Sequence, residues 1–233
     1  MKLTTDLRKH MIGTMVSMQK DLNNNLCGDA WCTNNENIHG RPMYWSLYTV
    51  IEIVEAIMSM NIEHWKDREA DYQNIITEYV DAFHFMLSDL LTYHGGNEQN
   101  VVMGVLEGYN NRKVIEGEVE VVKAQNELIV AILIKDYRNS YALFFTTLMN
   151  VLGDVNGDTA LTILYQGYIA KNLLNGFRKK HGYKEGTYIK LWDGKREDNY
   201  FLREYLVMEP NASKDEILEW LERTYKKYTQ GVE

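Results

Sequence analysis

The sequence predicts an all-α protein. Proline is confined to Pro42 and Pro210, and proline is the residue that helix interiors tolerate least. Several long runs repeat apolar residues with a helical period and stop at segments rich in glycine or asparagine. Two of those runs each carry a pair of acids three residues apart, which places both carboxylates on one helix face. At 233 residues the chain is long enough for a single domain, 1–233, with a sizeable core. A hydrophobic content of 45% excludes a disordered chain.

Residues 7–26 read as the first helix, with Leu7, Met11, Met15, Met18 and Leu22 near one face. Gln19 and Asn23, four apart, share a face. Side-chain amides both donate and accept, as reading a pyrimidine edge requires, although two polar surface residues would look the same. Residues 28–42 are rich in Asn, Gly and Asp and read as a loop, with Trp31 as a packing anchor.

Residues 45–60, WSLYTVIEIVEAIMSM, and 72–91, YQNIITEYVDAFHFMLSDLL, are apolar on more than one face, which predicts burial of both. The first holds Glu52 and Glu55, the second Glu78 and Asp81, and neither contains Lys or Arg. Buried carboxylates are costly unless a cation or a metal offsets them, so a metal is the leading explanation. The polar link EHWKDREAD is where a hairpin would turn, and the midpoint between the acid pairs falls at Lys66–Asp67. An antiparallel pairing then brings four oxygen donors together. Hard oxygen ligands predict Mg²⁺ or Mn²⁺ rather than zinc, and Mg²⁺ usually shares its coordination with substrate phosphates. Two such ions about 3.5–4 Å apart are the arrangement of phosphoryl-cleaving sites. The D-x-x-H spacing of Asp81 and His84 invites a di-iron reading, but neither Glu52 nor Glu55 is followed by a His three residues on.

YHGGN, 93–97, breaks the second helix. The segment 95–158 is less informative: residues 119–135 and 140–152 read as helices, and DVNGD, 154–158, as a turn. Residues 159–181 form another predicted helix, stopped by Gly182. From Lys171 to Arg196 there are eight Lys and Arg against two acids, a basic stretch suited to a small anion. Residues 211–228 read as an amphipathic helix with a Ser213/Glu216 capping box. The net charge of −8 argues against a general nucleic-acid binder. No run reaches the roughly 18 apolar residues of a membrane span, and the first residues lack a signal peptide's apolar core. Cys27 and Cys32 suit one local bridge or, with His39, part of a zinc site. A full zinc set has four ligands, so reduced thiols in a cytoplasmic protein are the expectation.

E-x-x-E followed after a spacer by E-x-x-D resembles the signature of the all-α nucleoside triphosphate pyrophosphohydrolases, the superfamily that includes MazG. Trp45 ahead of Glu52, the HWK of 64–66 and the EYVDAFHF of 78–85 resemble the dimeric dUTPases. So does KNLLNGFRKKHGYKEGTYIKLWDGKREDN, 171–199. The likeness covers the first ninety-odd residues and 171–199, in the family's order.

That resemblance implies a helical bundle of the pyrophosphohydrolase type, assembled as a homodimer, with 95–158 as a variable insertion. It implies Mg²⁺-dependent hydrolysis of dUTP to dUMP and pyrophosphate. Glu52, Glu55, Glu78 and Asp81 would hold the ions, and a water of lowered pKa would attack between the α and β phosphates. Glu52 or Glu55 would orient or deprotonate that water. MQKDLNNNL, 18–26, resembles the family's first motif, in which Gln19 and Asn23, or Asn24 in its place, help enclose the uracil. Trp65, Lys66, His84 and Phe85 would bind the nucleoside. Lys171, Asn175, Arg178, Tyr183 and Lys190 would clamp the triphosphate. The alternatives are a dual dCTP/dUTP enzyme, a broader MazG-like range, or a non-catalytic nucleotide-binding helical dimer.

Overall fold

The computed structural model describes residues 2–62, 65 and 69–230. Among them the elements are helices: α1 (Thr5–Cys27), α2 (Trp31–Asn34), α3 (Trp45–Ser59), α4 (Tyr72–Tyr93), α5 (Glu98–Asn110), α6 (Glu118–Leu133), α7 (Tyr137–Val151), α8 (Asp158–Lys180), α9 (Asp198–Met208) and α10 (Lys214–Gln230). The chain divides into two compact units, Met1–Tyr168 and Ile169–Glu233, and the division falls within α8.

Short polar residues start the helices of the first unit by accepting otherwise unpaired backbone N–H groups. Thr4 caps α1, Asp71 caps α4, Asn97 caps α5 and Asp136 caps α7. Helices α3 and α4 run antiparallel: Ser59 at the end of α3 accepts from Asn74 at 2.9 Å, and Ser46 at its start donates to Asp89 at 2.8 Å. Around this hairpin α1 packs on α4 and α5, α6 packs on α3, and α7 packs on α5 and α6. Phe83 of α4 sits at the middle of the core, with Tyr141, Phe144 and Phe145 of α7 and Tyr168 of α8 around its ring. Edge-on and offset stacking of this kind adds to the burial of each ring.

The sequence reading needs four adjustments. The one-turn helix α2 interrupts the expected loop because Trp31 is fully buried and donates Nε1–H to Asn24 Oδ1 at 2.8 Å. Helix α5 has no clean apolar period in the sequence, because Gly104 and Gly108 dilute it. Gly108 is there for space, since a Cβ on it would lie 2.3 Å from Tyr141 Cβ on α7. Helix α9 was also unforeseen; its start is fixed by the burial of Asp198. Finally, α3 is not buried on every side. Leu47, Ile51, Val54 and Met58, with Tyr44 at the N-cap, form an exposed apolar stripe, while Thr49, Ile53, Ala56 and Ile57 face the core.

The second unit has its own core, built from Leu174, Phe177, Trp192, Phe201, Leu221 and Tyr225 among others. At its side Arg178 donates to both oxygens of Asp198, at 2.8 and 2.6 Å, and the Tyr188 hydroxyl donates to the same carboxylate at 2.7 Å. Burial alone would raise the Asp198 carboxyl, but the hydrogen bonds and charge of Arg178, with Tyr188, outweigh it and hold the group below 3.8. Ser213 and Glu216 form the reciprocal cap of α10, each serving the other's backbone N–H.

Two outcomes follow. Gly108→Ala should force α5 and α7 apart and cost about 1–3 kcal/mol of stability, read by urea denaturation. Asp198→Ala leaves a buried guanidinium without its carboxylate and should cost about 3–5 kcal/mol at neutral pH. Because the native carboxyl titrates below its ordinary value, its contribution is complete above pH 3.8 and is lost as pH falls below that. The stability gap between parent and variant should therefore narrow in acid, measured as a series of denaturation curves.

Candidate metal and nucleotide site

Glu52 and Glu55 lie one turn apart on α3, and Glu78 and Asp81 one turn apart on α4, so the antiparallel hairpin turns the two pairs toward each other. Carboxylate oxygens of Glu52, Glu55 and Glu78 lie within 4.8 Å of one another. Glu78 is almost fully buried and Glu55 is exposed, so the cluster opens to solvent on the α3 side. Asp81 falls outside this tight group of three, yet its charge reaches it. Burial pushes the Glu52 carboxyl up to about 8, aided by the charge of Asp81, by the charge of Glu78 and a hydrogen bond to it, and by Glu55. Three acids packed this closely beside a fourth charge cannot all ionise without a counter-charge. Three converging oxygen donors of this kind fit a hard divalent cation.

Past the acids an aromatic cluster lines the hairpin. The Phe85 ring stacks near Trp45 at 6.3 Å between centroids and meets Tyr48 edge-on at 5.4 Å. Trp31 packs edge-on against Trp45. His84 takes another direction: its Nδ1 lies 2.9 Å from the Val80 carbonyl and its ring stacks on Tyr168, with centroids 3.9 Å apart. Trp65 is largely exposed in the α3–α4 connection. Lys66, with the neighbouring His64, lies outside the described residues.

Gln19 and Asn23 are each 3% exposed, so they are not surface residues. Gln19 Nε2 donates to Asn23 Oδ1 and to Ser88 Oγ, both at 3.0 Å, and Asn23 Nδ2 donates to Ser88 Oγ at 2.8 Å. The Tyr168 hydroxyl donates to Gln19 Oε1. Asn24 is engaged elsewhere, holding Trp31. Neither Ser88 nor Tyr168 is marked by the sequence. Tyr168 is 149 positions from Gln19, and the one local signal for Ser88 is its place ten residues beyond Glu78 on α4.

In the second unit Lys171 is buried, Arg178 is paired with Asp198, and a further Arg178 nitrogen lies 3.3 Å from Asn175 Oδ1. Lys190 forms an ion pair with Glu197 at 2.8 Å. Tyr183 is half exposed, with the Arg178 guanidinium 5.8 Å from its ring centre. Asp198, whose part the sequence left open, is thus the residue that sets the Arg178 side chain. Both cysteines are free thiols, and no helix among the described residues is long and apolar enough to cross a membrane.

No curated protein matches the chain. A family model described as dUTPase matches residues 11–183, a span that includes the acid pairs, the buried amides, the middle segment and the first half of the basic stretch. Match, helical fold and acidic cluster agree, and the chain belongs to the dUTPase family, as an all-α dUTP diphosphatase acting on a deoxyuridine nucleotide.

Proposed function

We propose that this enzyme hydrolyses dUTP to dUMP and pyrophosphate with Mg²⁺, Mn²⁺ being an alternative, and that Glu52, Glu55, Glu78 and Asp81 hold the cations. The observation that carries the reading is the convergence of three carboxylates within 4.8 Å, with a fourth charge acting on them. A divalent cation held there would supply Lewis acidity to water and would neutralise charge on phosphate oxygens. Glu52 or Glu55, the latter being the exposed member, would orient or deprotonate the attacking water, and attack between the α and β phosphates gives the two products. The Trp45, Tyr48 and Phe85 rings offer an apolar face to the nucleoside, and Asn23 with Gln19 meets the uracil. His84, Trp65 and Lys66 are further nucleoside contacts on this reading. Lys171, Asn175, Arg178, Tyr183 and Lys190 supply the cations and hydrogen bonds for the phosphates, in a cytoplasmic enzyme.

The homodimer is assigned to α3. Tyr44, Leu47, Ile51, Val54 and Met58 recur at alternating intervals of three and four residues, the spacing of a helix-pairing seam. The stripe carries no charge, so it complements a second copy of itself about a two-fold axis.

Glu78→Gln and Glu55→Gln should each cut kcat/KM for dUTP by about a hundredfold or more while leaving the far-ultraviolet circular dichroism unchanged. Mg²⁺ should raise the Tm of the parent through preferential binding to the native state, and Glu78→Gln should remove that rise. Parent-like turnover in both variants would count against the metal assignment. Ile51→Glu should shift the molecular mass by light scattering from dimer to monomer, and an unchanged mass would exclude α3 as the seam. A turnover panel of deoxynucleotides separates a dUTP enzyme from a dual dCTP/dUTP or broader one.

A further inference from the structure

We propose that Ser88 and Tyr168 act as positioning residues that set the pyrimidine selectivity of this enzyme, by fixing which way the Gln19 and Asn23 carboxamides point. The inference rests on the reading that Asn23 meets the base. Ser88 is fully buried in the C-terminal part of α4, and its hydroxyl donates to the His84 carbonyl at 2.8 Å. A serine has one proton to give. With that proton committed, Ser88 Oγ can only accept, and it accepts from both amide nitrogens at once. Turning either amide over would set a carbonyl oxygen against this acceptor, a buried clash of lone pairs. Tyr168 fixes the other end of the chain: its hydroxyl donates to Gln19 Oε1, which keeps Gln19 Nε2 on the side of Asn23 and Ser88. The orientation of amides is thus dictated by the network around them.

The consequence falls on Asn23. Both N–H groups of Gln19 are spent, on Asn23 Oδ1 and Ser88 Oγ. Among the described residues, Asn23 retains one N–H and one lone pair of Oδ1. Gln19 and Ser88 together occupy the edge of the Asn23 amide where oxygen and nitrogen lie side by side, so the remaining N–H points away from that edge as a single donor, and a single donor matches the O4 acceptor of uracil. Cytosine offers a 4-amino donor in the same place, so donor would meet donor. Placement along α4 agrees: Ser88 lies seven residues beyond Asp81, about 10 Å along the axis at 1.5 Å per residue, on the scale that separates the α phosphate of a nucleotide from its base edge.

The test measures kcat/KM for dUTP and for dCTP with Mg²⁺ in the parent, Ser88→Ala, Tyr168→Phe and Asn23→Ala, with Tm as a control. The parent should prefer dUTP, and Ser88→Ala and Tyr168→Phe should each lower the dUTP/dCTP ratio roughly tenfold or more. A purely structural role would lower both rates together and leave the ratio alone. A fall of the ratio in either variant supports the proposal, and Tyr168→Phe decides alone if Ser88→Ala does not fold. If Asn23→Ala lowers the ratio while both positioning variants keep it, the proposal is overturned and the base reading stands. If Asn23→Ala leaves the ratio unchanged, or the parent turns over dUTP and dCTP equally, the base reading fails and the proposal with it.

Discussion

Everything at the α3–α4 hairpin answers to one electrostatic constraint. Carboxylates at 52, 55 and 78 are held within a few ångströms by two packed helices, and a fourth at 81 adds its field. The attraction that a divalent cation offers such a cluster is large because the surroundings are partly apolar and screen it poorly. The hairpin pays the repulsion with packing. Ile53, Ala56 and Ile57 on α3, and Tyr79, Val80, Ala82 and Phe83 on α4, bury their side chains beside the acids and keep the helices from separating to relieve it.

On the proposed reading the same two helices serve the rest of the nucleotide. On α4 the line Glu78, Asp81, Phe85, Ser88 runs from charge, through an aromatic ring, to a hydroxyl that holds two amides. Phosphate, sugar and base differ in just this order, from highly charged to flat and weakly polar. A single rigid element would then carry a graded set of functions, and rigid elements place side chains more reproducibly than loops do. Helix α1 brings the amides to it, and α8 closes the network through Tyr168.

What the sequence reveals depends on how local each relation is. The acid pairs are legible because their members sit three residues apart, and their meeting is legible because a polar link lies midway between them. Gln19 and Asn23 are visible as a pair on one face for the same reason, but their burial is not, since Ser88 and Tyr168 come from distant parts of the chain. Hydropathy shows that α3 is apolar on several sides without showing that α6 and α4 cover only some of them. Asp198 follows the basic stretch as an ordinary acid in the sequence. That it fixes Arg178 requires a chain reversal between α8 and α9 that no short-range pattern encodes.

The middle segment has a further meaning. Helix α7 furnishes three of the aromatic rings surrounding Phe83, and Gly108 lets α5 lie directly against it. Phe83 stands between Glu78 and Ser88 on α4, on the side turned away from the acids. What looks like an appended insertion is therefore the rear wall of α4, the helix that carries Glu78 and Asp81. A trimmed version of the protein would have to furnish another backing for that phenylalanine before its acids could be held in register.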